Sequence, residues 1–483
     1  MTTNRPAPQV KYELLEKNRR SSITNSQTWT VFCLIILIIC ISIITLFTTW
    51  KKVNFTENDD EMDFIMFGPR KVGYSGYDRI LSNRAKIYSM ANFQAKSNSS
   101  WGDIDINVTT SNVMEVSDFK IVCYYSIPVN GSSIEQLWPS MLDPYLCTHI
   151  NIAFATITNM TIQPSRPTDG QIYTEVVNLK QVNPSLKVLL SVEWFTSEGE
   201  MALVVSCKRN RKMFIEEAVK LLTAYSLDGL DIDWEFPSWP NNDINQRSNF
   251  TLLLKEFREY LDRMSVKQKP ILTVAVAAPA PIINQAYDIN EMKRYIDYIN
   301  LMAYDFHSYT SYLPVTGPNA PLFEIDSEKG YFTTLNTNWS ALYWMGKGMP
   351  AEKIVVGFPT YGHSFTLFNE CNNGWYAPAS GIGSLGVDGF VSYADVCKFI
   401  TLEDSVIVFD GKNKVPFTYR KKEWISFDNE QSIAYKAEYA KWKGFGGVML
   451  FSLNTDDFSA VCDGKTTFPL ARRVKIVIED DSL

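Results

Sequence analysis

Histidine is almost absent: His149, His307 and His363 are the only three in 483 residues. A histidine-built metal centre or a Ser-His-Asp triad is therefore poorly supplied, and His149 is expected to be a satisfied structural residue. No stretch is dense in lysine or arginine, and the net charge is -7. The chain thus lacks the basic footprint that nucleic acid requires, and no nucleic-acid partner is expected. Its eight cysteines follow no zinc-binding spacing. No metal and no cofactor is called for.

Charge is missing altogether between Trp29 and Trp50, where Val31 to Phe47 is nearly all Val, Ile, Leu, Phe, Cys and Thr. About 20 such residues span a bilayer as a helix. A cleaved signal peptide fits less well, because a long polar leader precedes the run and no small-x-small site precedes Lys51. Lys11, Lys17, Arg19 and Arg20 lie before the span, whereas Glu57, Asp59, Asp60, Glu61 and Asp63 follow it. The positive-inside rule then places the N-terminus in the cytoplasm, giving a single-pass type II protein whose main domain is extracellular or luminal. The sequons at Asn54, Asn98, Asn107, Asn130, Asn159, Asn249 and Asn338 all lie after the span. Cys33 and Cys40 sit within it. Cys123, Cys147, Cys207, Cys371, Cys397 and Cys462 remain, an even number compatible with three disulfides in an oxidising compartment.

What the chain has in quantity is apolar side chains, 46% of the total with 13% aromatic, ample for a large core. Residues 1–28 read as a cytoplasmic tail, 29–50 as the transmembrane helix and 51–118 as a stalk rich in Asn, Ser, Asp and Lys. Eight short β-rich runs then follow in order: Lys120–Ser126, His149–Ala155, Leu186–Val192, Gly229–Glu235, Ile271–Pro279, Tyr298–Tyr304, Lys353–Pro359 and Gly446–Leu453. Amphipathic stretches such as Arg211–Tyr225 and Phe250–Met264 separate them. Eight strands alternating with helices predict a parallel (β/α)8 TIM barrel over 119–470, an α/β fold whose chemistry sits at the C-terminal strand ends. The gap between the seventh and eighth runs exceeds one helix, and 365–424 within it carries turn-rich sequence followed by the strand-like VIVF and VPFTYR. Residues 471–483 read as a charged tail.

The run Asp228–Pro237, DGLDIDWEFP, carries the chemistry. Alternation on a strand puts Asp231, Asp233 and Glu235 on one face at steps of roughly 7 Å, with Leu230, Ile232 and Trp234 on the other. Three carboxylates aligned this way repel unless a proton or substrate relieves them, which is how an acid catalyst is made from carboxylates alone.

This run resembles the DGxDxDxE signature of family 18 glycoside hydrolases, the chitinases and chitinase-like lectins. LMAYDFH at Leu301–His307 resembles the family's MxYD segment, and GFPTYGHSF at Gly357–Phe365 its seventh-strand segment. The resemblance implies hydrolysis of chitin or related N-acetylglucosamine oligosaccharides. Glu235 would be general acid and then base, Asp233 would hold the acetamido N–H, and Asp231 would share a proton with Asp233. Asp228 and Gly229 would fix the strand and its loop. Tyr304, Asp305, Met302, Tyr361, Trp194, Phe451 and Tyr124 would line the sugar groove. The resemblance also implies a small α+β domain inserted at 365–424, and pairing of Cys123 with Cys147 and of Cys397 with Cys462, leaving Cys207 and Cys371 over. This chain departs from the pattern in SVEWF at Ser191–Phe195, where the family has SxGGW. Phe451 stands where a floor tryptophan is usual, and two further tryptophans are missing from SIPVNGS and HSYTSY. The alternative implied by these losses is a membrane-tethered lectin.

Overall fold

The strand that carries the acidic run, Gly229–Asp233, is buried at every position, as a strand must be when sheet neighbours flank it and side chains cover both faces. The structure, a computed structural model, describes residues 119–129, 135–193, 199–239 and 243–480, without the side chain of Glu193. The expected tail at 1–28, span at 29–50 and stalk at 51–118 lie outside these residues. So do Trp194, Asn54, Asn98, Asn107 and Asn130. Among the described residues no helix is long and apolar enough to cross a membrane.

The strands in chain order are β1 (Lys120–Ser126), β2 (His149–Thr158), β3 (Thr161–Pro164), β4 (Lys187–Glu193), β5 (Gly229–Asp233), β6 (Ile271–Ala277), β7 (Tyr298–Met302), β8 (Ile354–Pro359), β9 (Tyr361–Leu367), β10 (Ala379–Ile382), β11 (Phe390–Ser392), β12 (Val406–Asp410), β13 (Val415–Arg420), β14 (Glu423–Ser426) and β15 (Gly447–Phe451). Eight of them, β1, β2, β4, β5, β6, β7, β8 and β15, are parallel neighbours, and β1 pairs with both β15 and β2 to close the barrel. The predicted (β/α)8 barrel is therefore present. Helices such as Lys208–Ala224 and Ile244–Arg263 turn an apolar stripe onto it: Phe214, Ala218 and Leu222 from the first, Phe250, Leu254, Phe257 and Leu261 from the second. Close strand packing explains one glycine directly. A Cβ on Gly229 would lie 2.3 Å from the carbonyl oxygen of Ile271 on β6.

Three boundaries differ from the sequence reading. The strand β5 stops at Asp233, two residues short of Glu235, because the chain leaves the sheet to form the mouth of the barrel. The insertion is wider than 365–424: an antiparallel sheet ordered β10-β9-β14-β13-β12, with β11 on β9, runs from Tyr361 to Ser426 and carries the helix Tyr393–Ile400. Tyr361 thus begins the insertion as well as ending the barrel segment. The expected tail at 471–483 is instead mostly helix, Pro469–Glu479, which buries Leu470, Ala471, Val474, Val477 and Ile478.

Both implied disulfides form. Cys123 on β1 joins Cys147 in the segment that leads into β2, and Cys397 joins Cys462 between the insertion and the segment after β15. Cys207 and Cys371 are free and exposed. Of the described sequons, Asn159 is exposed in the β2–β3 turn with φ +51°, and Asn249 lies half-buried on a helix. Asn338 accepts a hydrogen bond from the Tyr439 hydroxyl at 2.6 Å.

Candidate active site

The three carboxylates descend from solvent into the barrel. Glu235 is exposed at the mouth, Asp233 is 4% exposed and Asp231 is fully buried. Trp234, between Asp233 and Glu235, points the other way and packs edge-on against Phe250 of the outer helix layer.

Asp231 is the anchor. Its Oδ2 accepts from the Tyr124 hydroxyl at 2.6 Å and the Ser191 hydroxyl at 2.7 Å, and its Oδ1 from Thr273 at 2.6 Å and the Asn300 amide at 3.0 Å. The donors come from β1, β4, β6 and β7. Register explains two of them, because Ser191 and Thr273 sit directly beside Asp231 on the flanking parallel strands. Four donors fill the acceptor capacity of a carboxylate. Asp231 is thus held from the sides by the neighbouring strands.

Asp228 lies below the site. It accepts from the Val188 backbone N–H at 2.8 Å and pairs with Lys180 at 2.8 Å, tying the entry of β5 to β4.

Around the mouth, Tyr304, Tyr361 and Phe451 form an aromatic group. Tyr304 stacks on Phe451 with centroids 5.9 Å apart, and Tyr361 meets Tyr304 edge-on at 6.0 Å. Tyr124 lies 5.5 Å from Phe451, and Met302 packs into the same cluster. Asp305, with φ +57°, occupies the left-handed region that aspartate tolerates. Its backbone N–H donates to Asn319 Oδ1 at 2.9 Å. Its Oδ1 meets the Tyr361 hydroxyl at 2.6 Å and His363 Nε2 at 2.7 Å. Space is tight beneath: a Cβ on Gly357 would come within 2.4 Å of the Leu301 carbonyl oxygen and 2.9 Å of the Tyr304 ring.

The tyrosines are set as neutral donors. Burial, then the charges of Asp233, Asp305, Glu235 and Asp231, pushes the Tyr304 hydroxyl well above its ordinary range. Burial and the nearby Asp231 and Asp233 do the same for Tyr124. For Tyr361 burial again leads, followed by Asp305. Burial also raises Tyr287, with smaller contributions from Glu235 and Asp233. Hydroxyls that stay protonated can donate to a carboxylate or to a sugar oxygen. His149 is remote from this chemistry: burial, then Lys120 and Lys187, lowers its pKa to about 3, and Thr148 is hydrogen-bonded to its Nδ1.

The structure thus brings together Asp231, Asp233, Glu235, Tyr124, Met302, Tyr304, Asp305, Tyr361 and Phe451. Thr273, Asn300, Asn319 and His363 belong to the same arrangement and were not singled out from sequence. A signal existed for two of them: Thr273 and Asn300 are the polar interruptions in the apolar runs ILTVAVA and YINLM.

Residues 120–456 match the family described as glycosyl hydrolases family 18. The chain belongs to this family. Among family 18 relatives, it is 34% identical to chitotriosidase-1 of Mus musculus over 371 residues, covering 74% of this chain and 77% of that one. The Group IV chitinase of Ostrinia furnacalis superposes with a TM-score of 0.70 at 33% identity, covering 75% of this chain and all of that one. Human YKL-39, described as a pseudo-chitinase with retained chitooligosaccharide binding, superposes equally well, with a TM-score of 0.70 at 31% identity over 74% and 99% of the two chains.

Proposed function

We propose that this protein hydrolyses β-1,4-linked N-acetylglucosamine oligomers by a substrate-assisted retaining mechanism. The observation that carries the reading is Glu235, an exposed carboxyl at the barrel mouth in line with Asp233 and the anchored Asp231. Glu235 would protonate the glycosidic oxygen while the sugar's own acetamido carbonyl attacks the anomeric carbon, giving an oxazolinium ion and a free leaving group. Asp233, facing the acetamido N–H, would stabilise the positive charge. Glu235, now deprotonated, would take a proton from the incoming water and restore the acid. Asp305 and Tyr361, already joined at 2.6 Å, would orient the ring and its acetamido group. Release of fluorophore from a chitobioside, with Glu235→Gln as control, tests this.

A second reading, a glycan-binding lectin, is supported by the pseudo-catalytic nature of YKL-39 and by Phe451 at the groove floor. Binding of oligomers without turnover would select it. In either case we propose that residues 29–50 anchor the chain in the membrane, with the barrel on the extracellular or luminal side.

A further inference from the structure

The chain that leaves β5 carries Glu235 and, four residues on, Trp239. Four residues reach no farther than about 14 Å, so the indole lies on the same rim as the acid. That rim segment is held firmly. Ser238, 1% exposed with φ +65°, donates its N–H to Gln246 Oε1 at 2.8 Å and its hydroxyl to the Asp243 carbonyl at 2.7 Å. The same hydroxyl accepts the Arg247 N–H at 3.1 Å, and the Ser238 carbonyl accepts from Gln285 Nε2 at 2.7 Å. Trp239 itself is pinned by its N–H, which donates to the Phe236 carbonyl at 3.2 Å.

On this fixed support Trp239 is 37% exposed. Among the described residues no ring or cation stacks on it, and its Nε1 has no hydrogen-bond acceptor. Trp442, 50% exposed at the end of the helix Glu430–Trp442, differs: Lys443 lies 4.5 Å over its ring and Tyr439 packs beside it. Trp442 ends the helix that leads into β15, and so sits at the opposite end of the barrel from the acids.

A partly exposed indole on a fixed segment of the rim that carries Glu235 suits the apolar face of a pyranose, with its N–H left to a sugar hydroxyl. Resting on the glycan-binding reading above, we propose that Trp239 is an aromatic platform for one sugar unit of a β-1,4-linked N-acetylglucosamine oligomer. It would replace part of the grip lost with the tryptophans that SIPVNGS and HSYTSY lack.

The test uses the full chain bearing Glu235→Gln, so that ligand is not consumed, with chitohexaose as probe. On that background Trp239→Ala is expected to weaken binding ~5-fold and Trp239→Phe about 2-fold. Trp442→Ala should leave it unchanged. Hydroxyl-radical footprinting should find Trp239 protected by chitohexaose and Trp442 not. Unaltered affinity in Trp239→Ala, or an indole oxidised equally with and without sugar, would overturn the platform while leaving the glycan reading intact. If chitohexaose fails to bind the Glu235→Gln protein at all, the glycan reading falls and the platform falls with it.

Discussion

Replacing Phe451 with tryptophan enlarges the floor of the groove without touching the carboxylates. Phe451 is half-buried, with Tyr304 at 5.9 Å, Tyr124 at 5.5 Å and Tyr361 at 6.3 Å on its protein side. The added ring therefore has to grow toward the groove. An indole offers roughly 30–40 Å² more apolar face, about 1 kcal/mol at ~25 cal/mol per Å² once a sugar covers it. The aromatic contact itself contributes a similar amount, and ordering of the ring removes part of the gain. A net improvement of ~1 kcal/mol corresponds to roughly 5-fold tighter binding. Calorimetric titration with chitotetraose on the Glu235→Gln background measures it, with the melting temperature as a check on packing. If the ring instead crowds the tyrosines, overpacking costs ~1–3 kcal/mol and the melting temperature falls. Unchanged or weaker binding at an unchanged melting temperature would refute the assignment of Phe451 to the floor. The same reasoning predicts that the unmodified protein favours soluble oligomers over crystalline chitin, whose capture needs many aromatic platforms at once.

Other consequences concern the frame. Lys436 and Asp428 form an ion pair almost fully shielded from solvent, at 2.6 Å, behind β8 and β15. Burial lowers the lysine's pKa and raises the aspartate's. Lys436→Met should cost about 3–5 kcal/mol by stranding the acid, and the double change Asp428→Leu, Lys436→Met markedly less; urea unfolding distinguishes them. Removing the Cys123–Cys147 bridge, which closes a separation of 24 residues, should lower stability by roughly 3 kcal/mol, read from the same titration. Protease protection on microsomes should find an N-terminal tag accessible and the barrel shielded; a protected N-terminal tag would refute the proposed orientation.

Most of the barrel was legible because a buried parallel strand leaves a short apolar run, and eight such runs separated by amphipathic stretches admit few folds. The acidic column was legible because alternation on a single strand is local. The support of Asp231 was not: its partners lie 107, 40, 42 and 69 residues away, and only the closed register brings them together. The pairing of His363 with Asp305 was hidden for the same reason, since the two are 58 residues apart. The last helix was hidden by composition. Arg472, Arg473, Lys475 and Glu479 give Pro469–Glu479 a charged appearance, while Leu470, Val474, Val477 and Ile478 supply the helical stripe that packs inward. At the end of β5, alternation predicted the correct face for Asp231 and Asp233 but carried the strand two residues too far.

Turnover of a fluorogenic chitobioside by the purified protein and by Glu235→Gln bears most directly on the proposal that the column is an acid catalyst. Steady release by the unmodified protein, reduced at least about 100-fold by the substitution, is the expected result. Equal turnover in both would assign the acid elsewhere. No turnover in either, with chitooligosaccharide still bound, would contradict catalysis and leave a lectin built on a chitinase frame.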